Sequence, residues 1–297
     1  MTDAPRYRTP RTLPGISSRL MTDYYGLPMR GLYFIENTLE GRPAAAPPAD
    51  PVILVAGTFD PHRGEYSPRL VETLLREENV PAVIEAHYMY EGRTGYLDPR
   101  AVIDDVRGIC LDPRTAPRLL SLCGGCLALQ EALLETAEAD PSARVGGAVF
   151  VGPFLPDYSS ITGRIIEGVT FRQDTGPGST IHNYAGHGEV VESGKRLKDW
   201  YETSRLRKLL QDPRPKAPFP IPVANLYFRR DMLNWRGRRK LERVFDARVL
   251  RTISGLHKSL RKQPGADRTI AEFFRGTAGP APVPSDARVP ALADPVS

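Results

Sequence analysis

Three cysteines in 297 residues, Cys110, Cys123 and Cys126, are too few for a disulfide framework, and a reducing compartment would keep them as thiols. Five histidines beside so few cysteines give little material for a structural zinc site, so no metal or cofactor is expected. No apolar run approaches the roughly 20 residues needed to span a bilayer. The start, MTDAPRYRTPRTLPG, lacks the apolar stretch of a secretory leader, and a cytoplasmic protein is expected. A net charge of +5 is mild for this length and gives nucleic-acid binding little support. No internal repeat is present, which disfavours a solenoid or propeller. What is there is 41% hydrophobic and 8% aromatic residues, enough to bury a sizeable core in one large domain with an insertion.

Proline and alanine concentrate at the two ends, and residues 1–15 and 277–297 read as disordered tails. Between them, short apolar and β-branched runs predict strands at 52–56, 82–86, 118–122, 146–151, 221–227 and 247–253. Helical patterns fall at about 67–78, 99–111, 124–138, 235–243 and 265–275. Continuous apolar strands alternating with helices imply an α/β fold, a mostly parallel, doubly wound sheet covered on both faces. Residues 153–218 break the rhythm with a glycine-rich stretch and an amphipathic helix carrying Leu197, Trp200, Tyr201, Leu206, Leu209 and Leu210. They are expected to form a cap inserted between core segments 16–152 and 219–276.

The chemistry concentrates in Arg118 to Leu134, RLLSLCGGCLALQEALL, where a strand meets a dense helical run. Ser121-Leu122-Cys123-Gly124-Gly125 has the layout of a nucleophile elbow: small, any, nucleophile, any, glycine. Small residues are needed on either side because the sharp turn presses the backbone against neighbouring chain. Cys123 takes the nucleophile position, at the positive end of the following helix, which favours thiolate.

On these residues the chain resembles the α/β-hydrolase superfamily. The strand ILVAGTF ends in Ala56-Gly57-Thr58-Phe59, similar to the oxyanion loop after the superfamily's third strand. IPVANLYFRRDML ends in Asp231, at the place of the acid after the seventh strand. VLRTISGLHKSL followed by DRTIAEFFRG matches the last strand, the histidine loop and the closing helix, with His257 as the histidine. The order nucleophile, acid, histidine is the superfamily's order, and the resemblance covers roughly 50–155 and 219–276. It implies a cap between the sixth and seventh core strands, a Cys123-His257-Asp231 triad, an oxyanion hole from the backbone N–H groups of Thr58 and Gly124, and Phe59 against the acyl group. Two positions depart from the common pattern: the nucleophile is Cys rather than Ser, and Ala56 stands where many members have His. A Cys nucleophile is known in dienelactone hydrolases, polyhydroxyalkanoate synthases and certain thioesterases.

Each assignment has a rival. Cys123 and Cys126 form a C-x-x-C pair at a strand-to-helix junction, the layout of a thioredoxin-like redox motif, while Cys126 alone reads as a packing residue. Asp157, after the sixth strand, competes with Asp231 for the acid. His182 and His187 of the cap either line the substrate entrance or are polar surface. Basic clusters at Lys195–Lys216 and Arg229–Arg251 are either solvated faces or a dock for an acidic acyl carrier protein or the phosphates of coenzyme A. Exchange of one thioester for another is nearly neutral in free energy, so a carrier or coenzyme A thioester suits a cysteine nucleophile best. Thioesterase or acyltransferase is the expected activity, with an ester or lactone hydrolase and a non-catalytic binding protein of the same fold as alternatives.

Overall fold

The computed structural model describes residues 7, 9–41, 46–57, 66–89, 98–122, 124–153, 199–212, 220–228, 242, 244–245, 247–253 and 265–277. Eight strands form one sheet: β1 (Ile16–Met21), β2 (Leu32–Leu39), β3 (Val52–Val55), β4 (Val83–Tyr88), β5 (Arg118–Leu122), β6 (Gly147–Val151), β7 (Val223–Phe228) and β8 (Arg248–Ile253). Their order across the sheet is β1-β2-β4-β3-β5-β6-β7-β8. From β4 to β8 every pairing is parallel, and only β2 runs against both of its neighbours. The expected doubly wound sheet is present, and each of the six anticipated strands lies within two residues of its expected place.

The strands β3 to β7 are buried on both faces because helices cover both, as a parallel sheet requires. The two-residue period divides them between two cores. Ile53, Val55, Ile84, Leu119 and Phe150 face α2 (Pro99–Cys110) and α3 (Gly125–Ala139). Val52, Leu54, Leu120, Val149 and Leu226 face α1 (Pro68–Glu72), its continuation as a π-helical turn over Thr73–Glu77, and α5 (Ala266–Thr277). Sequence signals mark the helix starts: Ser67 and Asp98 each cap a helix opening with proline, accepting from the N–H of Leu70 at 3.1 Å and of Arg100 at 2.9 Å.

The antiparallel pair β1 and β2 was not anticipated. β2 is almost wholly buried yet carries Glu36 and Asn37, and β1 exposes alternate polar residues. The buried polar groups are partnered: Glu36 accepts from Arg19 Nε at 3.1 Å and from the Tyr25 hydroxyl, while Glu85 accepts from Arg11 at 2.7 Å and from the Asn37 amide at 3.2 Å. Burial, and then the Glu36 carboxylate, push the Tyr25 hydroxyl pKa up. Arg11 belongs to the proline-rich start, and its guanidinium also donates to the Tyr66 carbonyl at 3.3 Å, which ties that stretch to β4 and to the start of α1.

Within the expected insertion, residues 154–198 lie outside the described residues. The amphipathic helix anticipated there is divided at Ser204. This residue is extended, and its hydroxyl accepts the Arg207 N–H at 3.1 Å to start α4 (Arg205–Gln211). Apart from Glu242, the helix expected at 235–243 is outside the described residues. No helix among the described residues is long and apolar enough to cross a membrane.

One carboxylate sets how α2 meets β2. Asp105, buried on α2, accepts the N–H groups of Arg30 at 3.1 Å, Gly31 at 2.7 Å and Leu32 at 2.8 Å. Gly31 has to be glycine because a Cβ there would lie 2.6 Å from Val102 N. Burial raises the Asp105 pKa, opposed by these three donors. Asp105→Ala leaves two buried N–H groups without an acceptor and should cost about 3 kcal/mol in urea unfolding. Asp104→Ala, one residue away and half exposed, should stay within about 0.5 kcal/mol of the parent.

Candidate active site

The parallel strands β3, β5, β7 and β8 point their C-terminal ends to one edge of the sheet, and each delivers the chain to an expected site residue. Val55 ends β3 three residues before Thr58, and Leu122 ends β5 directly before Cys123. Phe228 ends β7 three residues before Asp231, and Ile253 ends β8 four residues before His257. Cys123, Thr58, Phe59, Asp231 and His257 lie outside the described residues. So do the rivals Asp157, His182 and His187.

Gly124, the remaining expected site residue, is the N-cap of α3, with φ −63° and ψ −26°. It has no side chain to turn onto the first-turn N–H groups, and no side chain caps them among the described residues. Uncapped donors at the start of a 15-residue helix favour negative charge there, which is where position 123 meets the helix.

At Gly125 the helix closes on the end of β3. A Cβ on Gly125 would overlap the Ala56 carbonyl oxygen and sit 2.8 Å from the Tyr88 hydroxyl and 2.9 Å from Ser121 Oγ. The Tyr88 O–H donates to that same Ala56 carbonyl, and the Ala56 N–H donates to Ala86 O at 3.1 Å. One cluster therefore joins the ends of β3, β4 and β5 to the first turn of α3. Ser121, two residues before Cys123, is fully buried, and its hydroxyl has no hydrogen-bond partner among the described residues. The glycine two residues after position 123 thus has a steric cause in this structure: any side chain at 125 would lift α3 off the sheet.

The other two cysteines are structural in their surroundings. Cys126, fully buried in the first turn of α3, donates its thiol to Val151 O at 3.8 Å. Cys110 is buried at the end of α2, and burial pushes its thiol pKa up to about 12.

Two further residues position this helix and carry weak sequence signals. Glu131, buried midway along α3, accepts the N–H groups of Arg205 and Leu206, each at 2.8 Å, so the helix that follows position 123 holds the start of α4 in the expected insertion. An acid inside the apolar run LQEALL was its only signal. Arg100 on α2 pins the exposed side of α3 through Glu135, with contacts of 2.6 and 2.8 Å that lower the Glu135 pKa. Tyr88 gave no signal, because a tyrosine ending an apolar strand reads as core.

No protein-family model and no curated protein matches this sequence. Among solved structures, the chain is similar to an arylesterase at 12% identity, with a TM-score of 0.53 over 91% of this chain and 86% of that one. A hyperthermophilic esterase from Pyrobaculum calidifontis gives 13% identity and a TM-score of 0.54 over 90% and 83% of the two chains. A hormone-sensitive lipase from a metagenome library gives 17% and 0.53 over 91% and 87%.

Gly125→Ala should be costly despite adding a single methyl. The carbonyl and hydroxyl it meets belong to well-packed strands, so overpacking should destabilise by about 1–3 kcal/mol, read as a fall in the thermal midpoint. Gly124→Ala, at a residue with helical φ and ψ, should shift it far less.

Proposed function

We propose that this chain, which has the α/β-hydrolase fold, hydrolyses an acyl ester through a covalent acyl group on Cys123. The observation that carries the reading is the contact of Gly125 with the Ala56 carbonyl. It sets the first turn of α3, which follows position 123, against Ala56 at the end of β3, which precedes Gly57.

In the proposed reaction, His257 takes the Cys123 thiol proton and the sulfur attacks the ester carbonyl. The N–H groups of Thr58 and Gly124 receive the developing oxyanion, each donor contributing about 3 kcal/mol by analogy with serine hydrolases. Collapse of the adduct breaks the carbon–oxygen bond, and the imidazolium returns its proton to the departing alkoxide. Water, deprotonated by the same imidazole, then releases the carboxylic acid and restores the thiol. Asp231 holds the imidazole in the tautomer this requires.

A second reading is supported by the cysteine itself. Transfer of an acyl group from a carrier or coenzyme A thioester to a thiol is nearly neutral in free energy, so Cys123 suits a thioester donor, and the basic clusters suit an acidic carrier. The burial of Cys126, with its thiol turned to Val151 O, supports packing rather than redox exchange.

Single-turnover acylation by butyryl p-nitrophenyl ester and by a butyryl thioester tests both readings. Cys123→Ala and His257→Ala should each lower the rate by about 10³-fold or more, and the double variant should lose little beyond either one, because the two act as a unit. Asp231→Asn should lose less. Full activity in His257→Ala contradicts the triad, and an inactive Asp157→Asn beside an unaffected Asp231→Asn moves the acid to the end of β6. Acylation by the thioester alone selects the second reading.

A further inference from the structure

Two carboxamides lie between α3 and the sheet where packing alone calls for apolar side chains. Asn225 of β7 and Gln130 of α3 are both fully buried. Neither the nitrogen nor the oxygen of either side chain has a hydrogen-bond partner among the described residues, so the two are not bonded directly to each other. Leucine or methionine would fill either position with no polar group to satisfy. A carboxamide takes two donors and an acceptor out of water, and buried polar groups in folded proteins are almost always met.

The sheet register and the helix period bring the two to one place. Asn225 pairs with Phe150 of β6, and paired residues of neighbouring parallel strands point to the same face. Phe150 and Val223, two residues before Asn225, belong to the core that faces α2 and α3, so Asn225 points to that side. On α3 the bearing is given by Cys126, whose thiol meets Val151 O at the end of β6. Gln130 comes about 40° further round the helix and about 6 Å further along it. The rotation is toward the side of Glu131, which holds the start of α4. Because α3 runs back from the ends of β3 and β5, that rise brings Gln130 about two residues down β6, to the level where Phe150 pairs with Asn225.

We propose that Gln130 and Asn225 form an internal site for ordered water, which bridges the two carboxamides and links α3 to β7. A water molecule offers both donors and acceptors, and it spans polar groups on facing elements that are out of direct hydrogen-bond reach. The occupant is neutral, since both lining groups are carboxamides and the adjacent Glu131 carboxylate is already committed to the N–H groups of Arg205 and Leu206. The site is independent of the chemistry at position 123.

The test is a crystal structure of the whole chain at a resolution that shows ordered water, with thermal unfolding of Asn225→Leu, Gln130→Met and the double variant beside it. The expected result is density for water within hydrogen-bond distance of both carboxamides. Each single variant leaves the other carboxamide short of a partner and should lower the thermal midpoint by about 3–6 °C. The double variant removes both groups that need the water and should lose clearly less than the two single losses added together. The parent density decides the question if a variant fails to fold. Carboxamides bonded directly to each other overturn the proposal, and so does water that meets only one of them. Absence of water density together with additive losses overturns it as well.

Discussion

The missing side chain at position 125 is the constraint on which the rest of the site depends. Without it, the first turn of α3 rests directly on the Ala56 carbonyl, and β3, β4 and β5 end against one helix. A methyl there would have to displace backbone or a hydrogen-bonded hydroxyl, and close-packed interiors do not yield at that cost. The consequence is electrostatic as well as steric. The N-terminus of α3, which no side chain caps among the described residues, lies directly after position 123, where the helix dipole favours negative charge.

Around that contact the fold spends buried polar groups on orientation. Asp105 fixes the approach of α2 to β2, Glu131 fixes the start of α4 on α3, and Glu36 and Glu85 tie the antiparallel edge to Arg19 and Arg11. Each carboxylate is removed from water and repaid by directed donors. Such groups add little net stability but are costly to break, so they specify one arrangement over its competitors. Two of the four, Asp105 and Glu131, lie on α2 and α3, so the residues that order the fold also hold the helix that follows position 123.

The parallel half of the sheet was legible because its strands are apolar on both faces, a pattern that survives reading without any knowledge of neighbours. β1 and β2 were not, since ISSRLM and LYFIENTL mix in polar residues whose partners lie on other segments: Arg19 and Tyr25 for Glu36, and Glu85 of β4 for Asn37. The amphipathic helix of the insertion was read as one because its apolar spacing is continuous, whereas Ser204 ends one helical stretch and caps the next. The small residues at 121 and 125 were legible because a close approach of helix and strand admits little else. Tyr88 and Glu131 were not, since a tyrosine at a strand end and an acid in an apolar helix acquire meaning only from what they face.

The central claim is that an acyl group is carried on Cys123. Brief exposure of the whole chain to a butyryl thioester at neutral pH, acid quenching and peptide mass spectrometry would test it. The account predicts one butyryl group per chain, on the peptide containing Cys123, and none when that residue is alanine. Acylation of Cys110 or Cys126 with Cys123 unmodified, or a Cys123 to Cys126 disulfide in place of an adduct, would contradict it.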